Sequence, residues 1–159
     1  MGKNGELYAQ DFVQWTQTTA ALIRDGKWAE IDPESVAEEI ESLGKRDRRE
    51  LESRLEVLIR HLLKWRYQRR APGPRRVTQQ RSWGSTIWEQ RRRLARLLAQ
   101  SPSLRPAVAP TLTEEYPYAC RRTSHETGLP EETFPDVCPW TAEQLLDTEF
   151  WPEGASVEK

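Results

Sequence analysis

The sequence predicts an all-α fold, a compact bundle of about five helices with a central antiparallel helix hairpin. Three observations predict it. Apolar residues recur at steps of three and four along most of the chain, start and stop signals punctuate that pattern, and no stretch shows the sustained period-two alternation of a half-buried strand. The 159 residues are 36% hydrophobic and 31% charged, with a net charge of −1. Leu, Ile, Val and Phe make up just under a fifth of the chain, a level at which disorder also requires a high net charge. Seven Trp and four Tyr add large buriable surface. A single all-helical domain over 8–152 is the expectation, with 1–7 and 153–159 as flexible termini.

The first predicted helix runs from Leu7 to Arg24, with Tyr8, Phe12, Trp15, Thr19, Leu22 and Ile23 on one stripe. Asp25-Gly26 ends it, because glycine tolerates the left-handed cap conformation. Asp32-Pro33-Glu34 opens the second helix: Asp suits the N-cap, Pro the first helical position, and the acids at Glu34, Glu38 and Glu39 the positive end of the dipole. Its stripe is Val36, Ile40, Leu43, then Leu51, Leu55, Leu58, Leu62 and Trp65, and the register skip at Gly44 predicts a break or kink there. Arg60, Lys64 and Arg66 crowd its far end, where cations suit the dipole.

A basic loop, RRAPGPRRVTQQ from Arg69 to Gln80, follows. The third helix then turns Trp83, Ile87, Leu94, Leu97 and Leu98 inward and Arg92, Arg93 and Arg96 outward. Ser101-Pro102-Ser103 is a stop and restart. The fourth helix, Leu104 to Ser124, must be kinked or divided, since Pro110 and Pro117 each remove a backbone hydrogen bond and clash with the preceding turn. Glu126-Thr127-Gly128-Leu129-Pro130 stops it. The last helix starts at Thr141, which forms a capping box with Gln144, while Trp140 can staple to Leu145.

Several classes of function are set aside. The longest apolar runs are three or four residues, far short of the ~20 that span a bilayer, so no membrane association is expected. MGKNGELYAQ lacks the apolar core of a signal peptide, and Cys120 and Cys138 alone cannot make a disulfide scaffold, which makes the cytoplasm the expected compartment. There is no internal repeat and no Gly-rich phosphate loop, and no cofactor is implied.

Charge is strongly segregated. Residues 1–44 carry a net −6, residues 45–96 a net +12 and residues 97–159 a net −7. Between Glu56 and Glu89 there is no acid, while eight Lys or Arg occur, and Arg outnumbers Lys 19 to 5 overall. Either the acidic ends fold over the basic centre and neutralise it, or the centre is a surface for an anion, nucleic acid foremost.

The stretches YAQDFVQW, EEIESLGKRDRRELESRLEVLIRHLLKW, SWGSTIWEQR, SPSLRP, ETGLP and FPDVCPW together resemble the bacterial family known as domain of unknown function 29, over about residues 8–152. The resemblance implies a small all-helical bacterial protein and brings no established activity. The basic loop after Trp65 is longer than the family's usual connection, and Pro117 falls where a helix-compatible residue would be expected.

Two functional readings follow. In the first, the chain is a non-catalytic binding module whose basic helix-loop-helix edge engages RNA or an acidic protein partner. Arg66, Arg69, Arg70, Arg75, Arg76 and Arg81 supply the cations, and Tyr67 and Trp88 the exposed aromatic faces. In the second, Arg54 and His61 resemble the R-x4–6-H motif of HEPN-type nucleases. They lie within about 20° on one helix face, and would serve a metal-independent ribonuclease. Their rise of ~10.5 Å asks for a second subunit, and a low apolar fraction in a Trp-rich chain makes a homodimer reasonable. Against that motif, Leu55 replaces the polar residue that usually follows the Arg.

Other constellations are weaker. His61, Cys120, His125 and Cys138 match no paired zinc spacing, so the cysteines read as small buried hydrophobes and no metal is predicted. Asp11 and Glu39 flank apolar stripes and could meet between the first two helices. Ser42, Ser82 and Ser101 lack a nucleophile context.

Overall fold

The computed structural model describes residues 3–68 and 74–153, without the side chains of Lys3 and Arg76. Its helices are α1 (Lys3–Gln10), α2 (Phe12–Arg24), α3 (Pro33–Tyr67), α4 (Pro74–Gln100), α5 (Val108–Thr127) and α6 (Ala142–Leu146), with 3-10 turns at Trp28–Glu30, Pro102–Ala107 and Glu131–Thr133. Among the described residues there is no strand. The chain divides into two compact units, Met1–Arg46 and Asp47–Lys159.

The first unit holds α1, α2 and the opening turns of α3. The helix expected over 7–24 is in fact two. Asp11 leaves helical geometry at φ −146 and caps α2 by accepting from the Gln14 amide at 2.9 Å. A carboxylate able to satisfy a free amide thus outcompetes the continuing apolar period. Residues 3–7, expected as part of a flexible terminus, are helical, and Asn4 is buried. Its side chain donates to Thr19 Oγ1 at 3.0 Å and accepts from the Trp15 indole at 3.1 Å, so this unit's interior is partly polar and its polar groups are paired. Gly5 permits a close approach, since a Cβ there would lie 3.1 Å from Asp32 Oδ2. α3 contributes Ser35 and the half-buried Glu39 and Ser42 on its inward side.

No break occurs at Gly44. α3 runs through it for 35 residues, and a Glu41–Lys45 ion pair at 3.6 Å straddles the glycine. A mid-helix glycine costs only about 1 kcal/mol, which the flanking Glu, Leu, Lys and Arg residues offset through their helix propensity.

The second unit carries the apolar core. Leu51, Leu55, Leu58, Ile59, Leu62 and Leu63 of α3 meet Ile87, Leu94, Leu97 and Leu98 of α4 in one buried cluster. Leu112, Tyr116 and Ala119 of α5 join it, as does Leu145 of α6. α3 and α4 are antiparallel: Trp65 lies against Gly84, Arg54 bonds Gln90 and Asp47 bonds Ser101, so one number falls as its partner rises. α4 begins at Pro74, whose fixed φ and missing N–H suit a first helical turn. Arg75 to Gln80 are therefore helical and not part of the expected loop.

The fourth predicted helix divides at Ala107 into a 3-10 turn and α5. Pro110 falls in the first turn of α5, and Pro117 is held inside it, flanked by the buried Tyr116 and Cys120. Gly128, at φ 74, ends α5 as a left-handed cap. α6 has the expected capping box, with Thr141 and Gln144 bonding reciprocally at 3.2 and 2.9 Å.

Candidate nucleic-acid interface

α4 carries seven arginines and one acid, Glu89, in 27 residues. Its buried positions Trp83, Ile87, Arg91, Leu94 and Leu98 fix the inward side, so the opposite side is set by elimination. Arg81, Ser85, Trp88, Arg92 and Arg96 follow one another at steps of four, three, four and four, and Arg81, Trp88, Arg92 and Arg96 are all exposed. They form a ridge about 22 Å long. Trp88 is 55% exposed, with the Arg92 guanidinium 5.9 Å from its ring centre. A cation above an aromatic face is attracted by the ring quadrupole, worth about 0.5–1 kcal/mol at an exposed site.

Arg92 grips Glu89 through two bonds, at 3.1 and 3.2 Å, and Arg93 bonds the same carboxylate. Hydrogen bonds from Arg92 and Arg93 hold Glu89 down at about 2, so it stays charged but neutralises only one of the two. Among the described residues, Arg75, Arg81 and Arg96 have no carboxylate partner. At the C-terminal end of the ridge, an open cavity of about 370 Å³ is lined by Glu50, Arg54, Arg92, Arg93, Arg96, Leu97 and Gln100. The sequence pattern places Arg92, Arg93 and Arg96 outward but does not bring them together with Glu50 and Arg54. The signal available was their recurrence on the side opposite Leu94 and Leu98.

The other basic residues sort differently. Arg60 and Lys64 of α3 both pair with Glu126 of α5 at 2.5 Å, Arg60 lies 3.6 Å from Glu56, and Arg122 lies 3.5 Å from Glu56. Burial pushes the Glu126 carboxyl up, but its Lys64 and Arg60 partners bring it below the usual range. Among the described residues, neutralisation by an acidic end thus occurs between α3 and α5, while Arg75, Arg81 and Arg96 of α4 carry no carboxylate partner.

Of the residues expected at the interface, Arg75 and Arg81 are exposed on α4, as is Trp88. Arg66 lies over the Tyr67 ring, 5.6 Å from its centre. Tyr67 is not an open platform: it is half-buried and meets Phe134 edge-on at 5.6 Å, because the end of α3 packs under the segment after α5. Arg69 and Arg70 lie outside the described residues, and so does the side chain of Arg76.

Arg54 and His61 are each engaged elsewhere. Arg54 bonds Glu50 at 2.7 Å and Gln90 at 3.3 Å. The Nδ1 of His61 donates to the Val57 carbonyl at 2.8 Å, which leaves Nε2 as the free nitrogen of the neutral ring. Burial lowers its pKa, the Val57 bond opposes, and Lys64 and Arg60 add to the lowering.

Cys120 is buried and Cys138 half-buried, both as free thiols, and burial raises both, Cys138 to about 11. His125 is exposed beside Arg121, Arg122 and Glu126. Among the described residues no three His, Cys, Asp or Glu side chains converge on one point. Asp11 and Glu39 do not meet: Asp11 caps α2, and Glu39 accepts from Tyr8 at 2.7 Å. Ser101 donates to Asp47 at 2.6 Å, tying the end of α4 to α3. No described helix is long and apolar enough to cross a membrane.

Fold and site together define an all-helical protein with an arginine and tryptophan ridge on its fourth helix. Residues 7–151 match the family described as Domain of unknown function DUF29, and the chain belongs to that family. No curated protein and no solved structure matches it.

Proposed function

We propose that the protein is a non-catalytic binding module whose α4 ridge engages single-stranded RNA. The observation that carries this reading is the line Arg81, Trp88, Arg92 and Arg96 on one exposed helix face, with one acid along the whole helix. Arginines bind phosphates bidentately, and an exposed indole between them stacks a base without regard to its identity. Arg75 extends the positive surface toward the start of α4, next to Arg66, Arg69, Arg70 and Arg76 in the chain.

The ridge favours a flexible strand over a duplex. A duplex hides its base faces, whereas a single strand offers phosphates and faces together. An acidic protein partner would satisfy the arginines but has no need of an open tryptophan face among them. Affinity capture from cells, with and without ribonuclease, separates the two. Loss of the captured material on ribonuclease treatment supports RNA, and capture of a protein that survives treatment contradicts it.

A further inference from the structure

We propose that the opening turns of α3 are a self-association surface, on which a second copy of the chain docks its own α3 in antiparallel orientation. Ile40 and Leu43, 64% and 54% exposed, sit one turn apart on the stripe of the half-buried Val36, turned away from the buried Ser35 and bordered by Glu39. A helix in this position ordinarily buries its apolar stripe and exposes its polar one. Here the inward side is partly polar, and the two largest aliphatic side chains of the segment face out.

The neighbours of this pair identify the occupant. Written as a heptad with Ile40 and Leu43 at the two seam positions, the residues flanking one side are Ala37 and Gly44, and those flanking the other are Glu39 and Arg46. A Cβ at Gly44 would meet nothing within 4 Å, so among the described residues nothing calls for a glycine there. A second helix approaching closely along the Ala37–Gly44 side would. On the other side the two flanking charges are opposite in sign and seven residues apart. An antiparallel copy centred near Leu43 puts Arg46 of each chain against Glu39 of the other, making two attractive pairs, whereas a parallel copy makes neither. Tyr8 holds Glu39 through a 2.7 Å bond, which orients the carboxylate before any partner arrives. Phe12, 47% exposed, lies 6.2 Å from that Tyr8 ring and extends the apolar surface. The surface is thus complementary to itself, as a two-fold interface requires.

The test is sedimentation velocity at low salt on the full chain, with circular dichroism confirming that each variant keeps its helix content. The parent is expected as a dimer and Ile40→Asp/Leu43→Asp as a monomer. Arg46→Glu alone, and Glu39→Arg alone, put like charges opposite each other, and each should weaken association about tenfold or more. An equimolar mixture of these two variants restores both attractive pairs and should recover the dimer. A monomeric parent, a dimer untouched by Ile40→Asp/Leu43→Asp, or a mixture no more associated than its components would overturn the proposal.

Discussion

The Nε of Arg91 donates to the carbonyl of Leu145 at 2.8 Å, and this bond ties α4 to the last turn of α6 from inside the core. Arg91 is 2% exposed, its second nitrogen lies 3.4 Å from the Gln144 carbonyl, and its guanidinium sits 5.5 Å from the Trp151 ring centre. A cation at a helix C-terminus satisfies carbonyls that lack intrahelical partners and opposes the negative end of the dipole. For a five-residue helix, which cannot stand alone, that end and the Thr141 box at the other are what define it.

Arg91→Ala leaves those carbonyls unmet and opens a cavity, so it should destabilise the fold by about 2–4 kcal/mol. Arg92→Ala, one residue on and exposed, should stay within about 0.5 kcal/mol of the parent. Urea denaturation of both variants checks the contrast. Equal effects would mean that Arg91 is not the bond holding α6.

Thr141→Ala removes the side-chain acceptor for the Gln144 amide at the other end of α6. A loss of about 0.5–2 kcal/mol is expected in the same urea measurement. Because the two ends serve one short helix, the double variant with Arg91→Ala should lose less than the sum of the single changes.

Most of the fold was legible because its elements carry redundant signals. The Leu51 to Leu62 stripe, the Gly26 and Gly128 stops and the Thr141 box each agree with their surroundings. Asp11 was not legible as a break, since the apolar period continues across it and only the cap geometry ends the helix. Pro74 follows Pro72 and Gly73, a run that signals a loop, yet it serves as a first-turn proline. Arg91 was hidden by its charge: it occupies an inward position, between Ile87 and Leu94, that the period alone would have filled with a leucine. Composition makes the whole stretch basic, and it is the inward positions of α4 that separate Arg91 from Arg92 and Arg96.

His61 gives a pH dependence of defined sign. Burial holds its folded pKa below 6.5, so the unfolded chain takes up the proton first. Its contribution is complete above 6.5 and declines as pH falls toward the lower folded value, with a slope of up to about 1.4 kcal/mol per pH unit. Glu126, held below 4.5, contributes above that value and loses its contribution as pH falls through its own folded pKa. Denaturation followed from about pH 7 down to about pH 5 should therefore show a decline that His61→Gln abolishes and Glu126→Gln does not. A decline of equal slope in His61→Gln would place its origin elsewhere.

Trp88 supplies stacking and no charge in the proposed complex. Trp88→Ala should weaken RNA binding by about 1–3 kcal/mol while leaving the salt dependence of binding unchanged. Fluorescence anisotropy on a labelled single-stranded oligonucleotide reads both quantities. A changed salt slope, with or without weaker binding, would mean that the indole acts by positioning Arg92.

The most direct test of the α4 ridge is the same anisotropy titration repeated across salt concentrations, with the parent and the Arg81→Ala/Arg92→Ala/Arg96→Ala variant. Each phosphate contact contributes about −0.7 to the slope of log affinity against log salt for a single strand. Loss of three contacts should therefore flatten the slope by about 2, with weaker binding and unchanged helix content. No binding by the parent at low salt, or an identical slope in the triple variant, would contradict the account.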